Sequence, residues 1–153
     1  MNSIREKILD NIKSTLEDIK ASKGYYNTVA SVQRWSQHGN NLVDVPCIII
    51  SSGPETKKPE PNPLYTCRWT VFIDAITRHD ESSTEPTDRL INKMIADVEK
   101  ALMVDITRGG YAMDTNLVNN VPFEAVEGQP NVGAVIEIDI VYQHKQSDPE
   151  EQL

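Results

Sequence analysis

The sequence predicts an α+β fold: a two-layer sandwich in which a mixed, mostly antiparallel sheet carries two helices on one face. Three observations predict it. Residues 3–21 and 86–103 place apolar side chains at spacings of three and four, the stripe of an amphipathic helix. Residues 65–78 and 131–144 alternate apolar and polar with the period of a strand. The order along the chain is helix, three strands, helix, two strands. Two helices cover only one face of such a sheet, and the other is left open.

The first helix rests on Ile4, Ile8, Leu9, Ile12, Leu16 and Ile19, which share one face. Ser3 fits its N-cap, with Glu6 completing a capping box. Gly24, behind Lys20 and Lys23, fits its C-terminal stop. Residues 25–35, YYNTVASVQRW, are rich in β-branched and aromatic types and predict a strand. SQHGNNLVD follows as a loop, with Gly-Asn-Asn as its turn signal. VPCIIISSG is a short apolar run, the pattern of a central strand buried on both faces. PETKKPEPNPL, residues 54–64, holds four prolines, which predicts a long extended loop outside the sheet.

In YTCRWTVFIDAITR the residues Cys67, Trp69, Val71, Ile73 and Ala75 face one way, and Arg68, Thr70, Phe72, Asp74 and Ile76 the other. The polar HDESSTEP leads into the second helix, residues 86–103. Pro86 fits its first turn, Glu85 and Asp88 its positive end. Leu90, Ile91, Met94, Ile95, Val98 and Leu102 form its buried stripe. DITRGGYAMDTNLVNN reads as a second long loop with a Gly-Gly hinge. VPFEAVEG and NVGAVIEIDIVYQH are the last two strands, joined by the turn EGQPN. Residues 1–144 are expected to form a single domain and 145–153 a polar, flexible tail.

The 153 residues are enough for a hydrophobic core without disulfide or metal staples. The net charge of −8 argues against a general nucleic-acid binder, which needs basic surface to displace counterions. It does not forbid passage of DNA along a repelling surface. Cys47 and Cys67 each fall within a predicted strand and read as two buried thiols in a reducing cytosol, with a cross-strand disulfide as the alternative. No window approaches 18 consecutive apolar residues, so no membrane span is expected. The charged N-terminal stretch lacks the apolar centre of a signal peptide, which predicts a protein made and used in a cytoplasm.

No P-loop, GxSxG, GxGxxG or HExxH motif is present. Gly109 and Gly110 lack the lysine and helix of a phosphate cradle and read as a hinge. His38, His79 and His144 are expected as scattered surface histidines at or beyond strand ends, without zinc-ligand spacing. Asp74, Glu124, Glu137 and Asp139 are the sharper group. Strand alternation sets them on the face opposite Ile73, Phe123, Ile136 and Ile138. Carboxylates so placed suit a divalent cation for phosphodiester hydrolysis, a solvated surface, or a surface shared between subunits. No lysine or histidine is placed with them to complete a nuclease site.

Four stretches, in order, resemble the phage tail terminators, the lambda-type group and its related tail-completion proteins. IREKILDNIKSTLEDI is similar to the opening helix, and VPCIIISSGPE to a segment of proline, apolar run, glycine and glutamate. DVEKALMVD followed by GGYAMDT resembles the second helix and its loop, and IEIDIVYQHKQSDP the last strand with its closing Asp-Pro. The likeness spans nearly the whole chain, although the proline-rich 54–64 departs from it. It implies one mixed sheet with helices on one side, and a hexameric ring that caps the tail tube, ends its polymerisation and offers a surface to the head connector. It implies a virion protein of the tail–neck region, with no catalytic residue, cofactor or metal. DNA passes through the ring without specific binding. On this reading Asp74, Glu137 and Asp139 are the candidate lumen or inter-subunit acids. The loops 36–44, 54–64 and 106–120, with His38, Asn40, Lys57, Lys58, Arg108 and Tyr111, are the candidate contacts with neighbours, tube and connector. The rivals are another neck or head-completion protein and, more remotely, a metal-dependent nuclease.

Overall fold

The computed structural model describes residues 2–34, 44–79, 83–123 and 130–153. It has the expected α+β architecture. Helix α1 spans Ile4–Glu17, strand β1 Ser31–Arg34, β2 Cys47–Pro59, β3 Leu64–Arg78, helix α2 Thr87–Met103, β4 Asp114–Phe123 and β5 Asn131–Lys145. The strands form one sheet in the order β1-β2-β3-β5-β4. Only β1 and β2 are parallel; β2–β3, β3–β5 and β5–β4 are antiparallel. Helix α2 lies across β3, β5 and β4, and α1 lies beside α2 and β1.

The helices form where the apolar stripes predict. Ile4, Ile8, Leu9, Ile12 and Leu16 of α1 are buried, as are Ile91, Met94, Val98 and Leu102 of α2. The Ser3 hydroxyl accepts the Glu6 amide at 3.1 Å, the N-cap expected of it. The Glu6 carboxylate is turned to Arg34 of β1 at 2.6 Å, which ties helix to strand. Gly24 does not stop α1: the helix ends at Glu17, and Gly24, at φ 93°, closes a separate 3₁₀ turn over Ala21–Lys23. The irregular segment 25–30 behind that turn takes up most of the predicted first strand, of which only Ser31–Arg34 pairs among the described residues. Asp97, buried in α2, fixes the connector. Its carboxylate accepts the backbone amides of Tyr26 and Asn27 at 2.9 and 2.8 Å and the Asn27 amide group at 2.9 Å.

One sheet face makes the core. Cys67, Trp69, Val71, Ile73 and Ala75 of β3 pair with Tyr142, Ile140, Ile138, Ile136 and Ala134 of β5, all buried against the helices. Fully burying one such isoleucine contributes roughly 1.5–3 kcal/mol. Ile48 and Ile50 extend this face, but Ile49 between them is only half-buried, so β2 is not buried on both faces.

Two loop expectations are corrected. Residues 54–59 are sheet: Glu55–Pro59 pair with Trp69–Tyr65, so Lys57 and Lys58 lie on a strand. The prolines avoid the ladder by position. Pro54 falls in the bulge between Ser52 and Glu55, Pro59 ends the strand, and Pro61 and Pro63 lie in the turn. A side chain at Gly53 in that bulge would meet the Thr70 carbonyl at 2.9 Å. The second loop is also shorter than expected, because Asp114 already pairs with Val141. β4 is an edge strand whose side chains are mostly exposed, so its Asn-rich sequence carries no buried alternation to announce it.

The C-terminal segment, expected to trail free, folds back. Lys145 N–H donates to the Glu151 carbonyl, Gln146 N–H to that of Pro63, and Ile4 N–H to that of Pro149 at 3.0 Å. The last of these satisfies an amide at the start of α1. Among the described residues no helix is long and apolar enough to cross a membrane.

Candidate functional site

The face opposite the helices carries Arg68, Thr70, Phe72 and Asp74 of β3 beside Val141, Asp139, Glu137 and Val135 of β5. Asp74, Glu137 and Asp139 therefore share a face, opposite Ile73, Ile136 and Ile138. They do not share an environment. Arg68 Nη1 lies 2.6 Å from Asp139 Oδ2, so that carboxylate is paired. Glu137 and Asp139 line a groove of about 330 Å³ with Pro54, Thr56, Arg68, Thr70 and Val118. Asp74 sits towards the other end, where Ile76 and Cys47 are buried. Burial pushes its pKa above the usual carboxylate value, and among the described residues no opposing cation or hydrogen bond offsets it. The face is open at its Asp139 end and desolvated at its Asp74 end.

Phe123 lies on this same face, not on the core side expected for it, because it pairs with Gly133. The Phe123 ring covers Gly133, where a Cβ would come 1.9 Å from the Ala75 carbonyl oxygen and 3.0 Å from the ring. Glu124, His38 and Asn40 lie outside the described residues. Among the described residues no three His, Cys, Asp or Glu side chains are placed to hold a metal ion.

A polar cluster that the sequence did not announce lies on the covered face, at the hairpin end of β2 and β3. The bulge gives Glu55 and Lys57 the same side as Trp69 and Cys67. The Glu55 carboxylate, 10% exposed, accepts the Tyr142 hydroxyl and lies 3.2 Å from Lys57 and 3.6 Å from Arg5. Lys57 Nζ also lies 2.6 Å from His144 Nε2 and 3.4 Å from Cys67 Sγ, so its three protons meet three acceptors. His144 is buried within β5, which corrects its expected surface position. Its Nδ1 lies 2.7 Å from the Lys145 carbonyl, which only accepts, so the ring proton is on Nδ1 and Nε2 is free to accept from Lys57. Arg5 lies over the Trp69 ring at 4.3 Å. Burial, and next the Glu55 carboxylate, raises the Tyr142 pKa far above its usual value. Burial likewise raises that of Cys67, against the pull of Lys57. The cluster is a fastening of β2, β3, β5 and α1, with its thiol and phenol held protonated.

Both cysteines are free and buried. Cys47 pairs with Ile76 and Cys67 with Lys57, which sets the thiols about 30 Å apart along the sheet and rules out the cross-strand disulfide.

The remaining loop candidates divide. Lys58 is exposed. Arg108 is not a surface contact: it is fully buried, and its Nη2 donates to the carbonyls of Leu102 and Asp105 at the end of α2. Arg108 (φ 50°), Gly109 (73°) and Gly110 (93°) form a left-handed run that turns this side chain under the helix. Burial pulls its pKa down, with Asp105 opposing. Tyr111 packs against the core with Lys7 Nζ 5.2 Å from its ring centre.

No protein-family model matches the chain, and no curated protein matches it either.

Proposed function

We propose that this chain is a phage tail terminator: a structural subunit whose ring caps the finished tail tube and presents a surface to the head connector. The observation that carries the reading is the one-sided sheet, helices on one face and a groove with Glu137 and Asp139 on the other. The sequence resemblance, which runs in order along nearly the whole chain, supports the same assignment. An acidic surface also suits DNA passage, because fixed negative charge repels phosphate. With Asp139 paired to Arg68, the free negative charge of the groove is that of Glu137. The protein acts in the tail–neck region of the virion, binds no cofactor and turns over no substrate.

Light scattering on the purified protein, alone and with tail-tube protein, tests the ring. A mass of several subunits in either condition is expected; a strict monomer in both refutes it. Virions lacking the protein separate the roles. Overlong tails are expected for a terminator, whereas normal tails that fail to join heads would reassign the chain to the connector. DNA cleavage with magnesium or manganese that Asp139→Asn abolishes would make it a nuclease instead.

A further inference from the structure

We propose that β4 is a docking strand whose free edge pairs, antiparallel, with the free outer edge of β2 in a second copy of this chain. The sheet then runs on from subunit to subunit. This deepens the ring reading and rests on it for closure, while the joint itself is a property of the chain alone.

β4 pairs with β5 only, which leaves its outer edge without a strand partner among the described residues. Proteins usually blunt such an edge with lysine or inward charge. DTNLVNNVPF contains neither lysine nor arginine; a bulge after Leu117 and Pro122 near its end are its only devices of that kind. Apolar side chains flank the edge on both faces. Leu117, 39% exposed, points to the helix side, while Val118 and Val121, 53% and 52% exposed, point to the open side. Ile106, 41% exposed, adjoins the strand through the bond from Thr115 Oγ1 to its carbonyl. A strand laid along this edge satisfies the unpaired backbone groups and covers these side chains together.

The chain itself supplies the matching strand. β1 pairs only with Cys47–Ile50, so Ser51–Pro59, nine residues, has no outer partner among the described residues. Ten residues of β4 face those nine. Because β2–β3, β3–β5 and β5–β4 are each antiparallel, β2 and β4 run in opposite directions. One copy's β4 therefore meets the next copy's β2 antiparallel, the stronger pairing. The charges agree at one position on each side: β4 carries Asp114 and no cation, while in the β2 stretch Glu55 and Lys57 are paired with each other and the exposed Lys58 is left to face it. The two edges are different surfaces, so the contact is head-to-tail, the kind that builds rings.

Two variants that each add one exposed thiol, Val118→Cys and Thr56→Cys, test the joint, since native Cys47 and Cys67 are buried. Mixed and treated with a short bis-maleimide, alone and on tail tubes, they should cross-link to each other far more than to themselves. A Val118→Cys homodimer as abundant as the mixed pair would mean that β4 meets β4, and would overturn the proposal. No mixed product in samples where light scattering shows oligomers would overturn it too, while leaving the ring reading standing. A monomer in both conditions removes the joint and the ring together. Val118→Lys, at an exposed position, should weaken self-association by about tenfold or more without changing the melt. Unchanged association refutes the joint.

Discussion

Replacing Glu55 with alanine should cost the domain about 2–4 kcal/mol, although the residue lies in a stretch whose composition suggests an unstructured loop. The magnitude follows from its three partners. The Tyr142 hydroxyl donates to Glu55, and Tyr142 is 2% exposed. Left without an acceptor, a buried hydroxyl costs roughly 1–3 kcal/mol. Arg5 and Lys57 lie 3.6 and 3.2 Å from the carboxylate, but both are about 40% exposed, so water and salt screen them. Each such pair is worth about 0–1 kcal/mol. The three sum to about 1–5 kcal/mol, with about 2–4 kcal/mol as the central range, which for a chain of this size lowers the melting temperature by roughly 5–15 °C. Thermal unfolding followed by circular dichroism measures it, and a double-mutant cycle with Tyr142→Phe tests the cause. Removing the hydroxyl removes the orphan, so Glu55→Ala should cost about 1–2 kcal/mol less when combined with Tyr142→Phe. Strictly additive losses, or an unshifted Glu55→Ala melt, would refute the assignment of Glu55 as the hub. Repeating the melts at about 1 M salt divides the loss, since the ion-pair share shrinks and the hydroxyl share does not.

Three further outcomes are expected. Gly133→Ala forces a Cβ to within 1.9 Å of the Ala75 carbonyl oxygen, so it should cost about 1–3 kcal/mol or more and reduce soluble yield; a wild-type melt would contradict the β3–β5 register. Asp74→Asn should stabilise the protein at pH 7. Burial raises the folded-state pKa of Asp74, so its stability contribution is full below the unfolded carboxylate value of about 3.9 and is lost as pH rises through the folded value. The gain from Asp74→Asn should therefore vanish in acid, and melts at pH 7 and pH 3.5 that shift equally would contradict this. Asp97→Ala removes the acceptor of three hydrogen bonds and should cost about 2–3 kcal/mol, read by urea unfolding; Asp97→Asn, which keeps one acceptor oxygen, should fall between, and equal midpoints for all three proteins would refute the anchor.

What was legible in the sequence was whatever one face of an element dictates by itself. The stripes of α1 and α2 and the alternation of β3 and β5 are local patterns, and each element formed where its pattern lay. What was not legible depends on pairing between distant segments. Pro54 forbids a regular ladder, but a bulge steps the ladder past it, and nothing local to residues 54–59 shows that a partner strand waits at Tyr65–Trp69. β4 escaped notice because an edge strand buries little and Asn is permitted on it. Phe123 was assigned the wrong side because alternation fixes sides within a strand, whereas register with Gly133 fixes them between strands. The same holds for the candidate site. Asp74, Glu137 and Asp139 were placed on one face by parity alone, but the pairing of Asp139 with Arg68 and the burial of Asp74 arise from neighbours on other strands. Arg108 was taken for a loop cation because the left-handed run that folds it inward reads in sequence as a hinge.

The pairing of β3 with β5 sets how this chain must fold. β2 and β3 are joined by a short turn, and each can find the other early. β3 and β5 are separated by all of α2 and β4, yet they pair along fifteen residues each, the longest ladder in the sheet. The slow step is therefore expected to be the closing of that seam, which carries a large loop-closure cost before any ladder bond rewards it. Until it closes, β3 and β5 each offer an unpaired edge lined with isoleucine and valine, with Trp69 added on β3 and Tyr142 on β5. Refolding yield should fall as protein concentration rises, because another chain's strand can take the place kept for the chain's own.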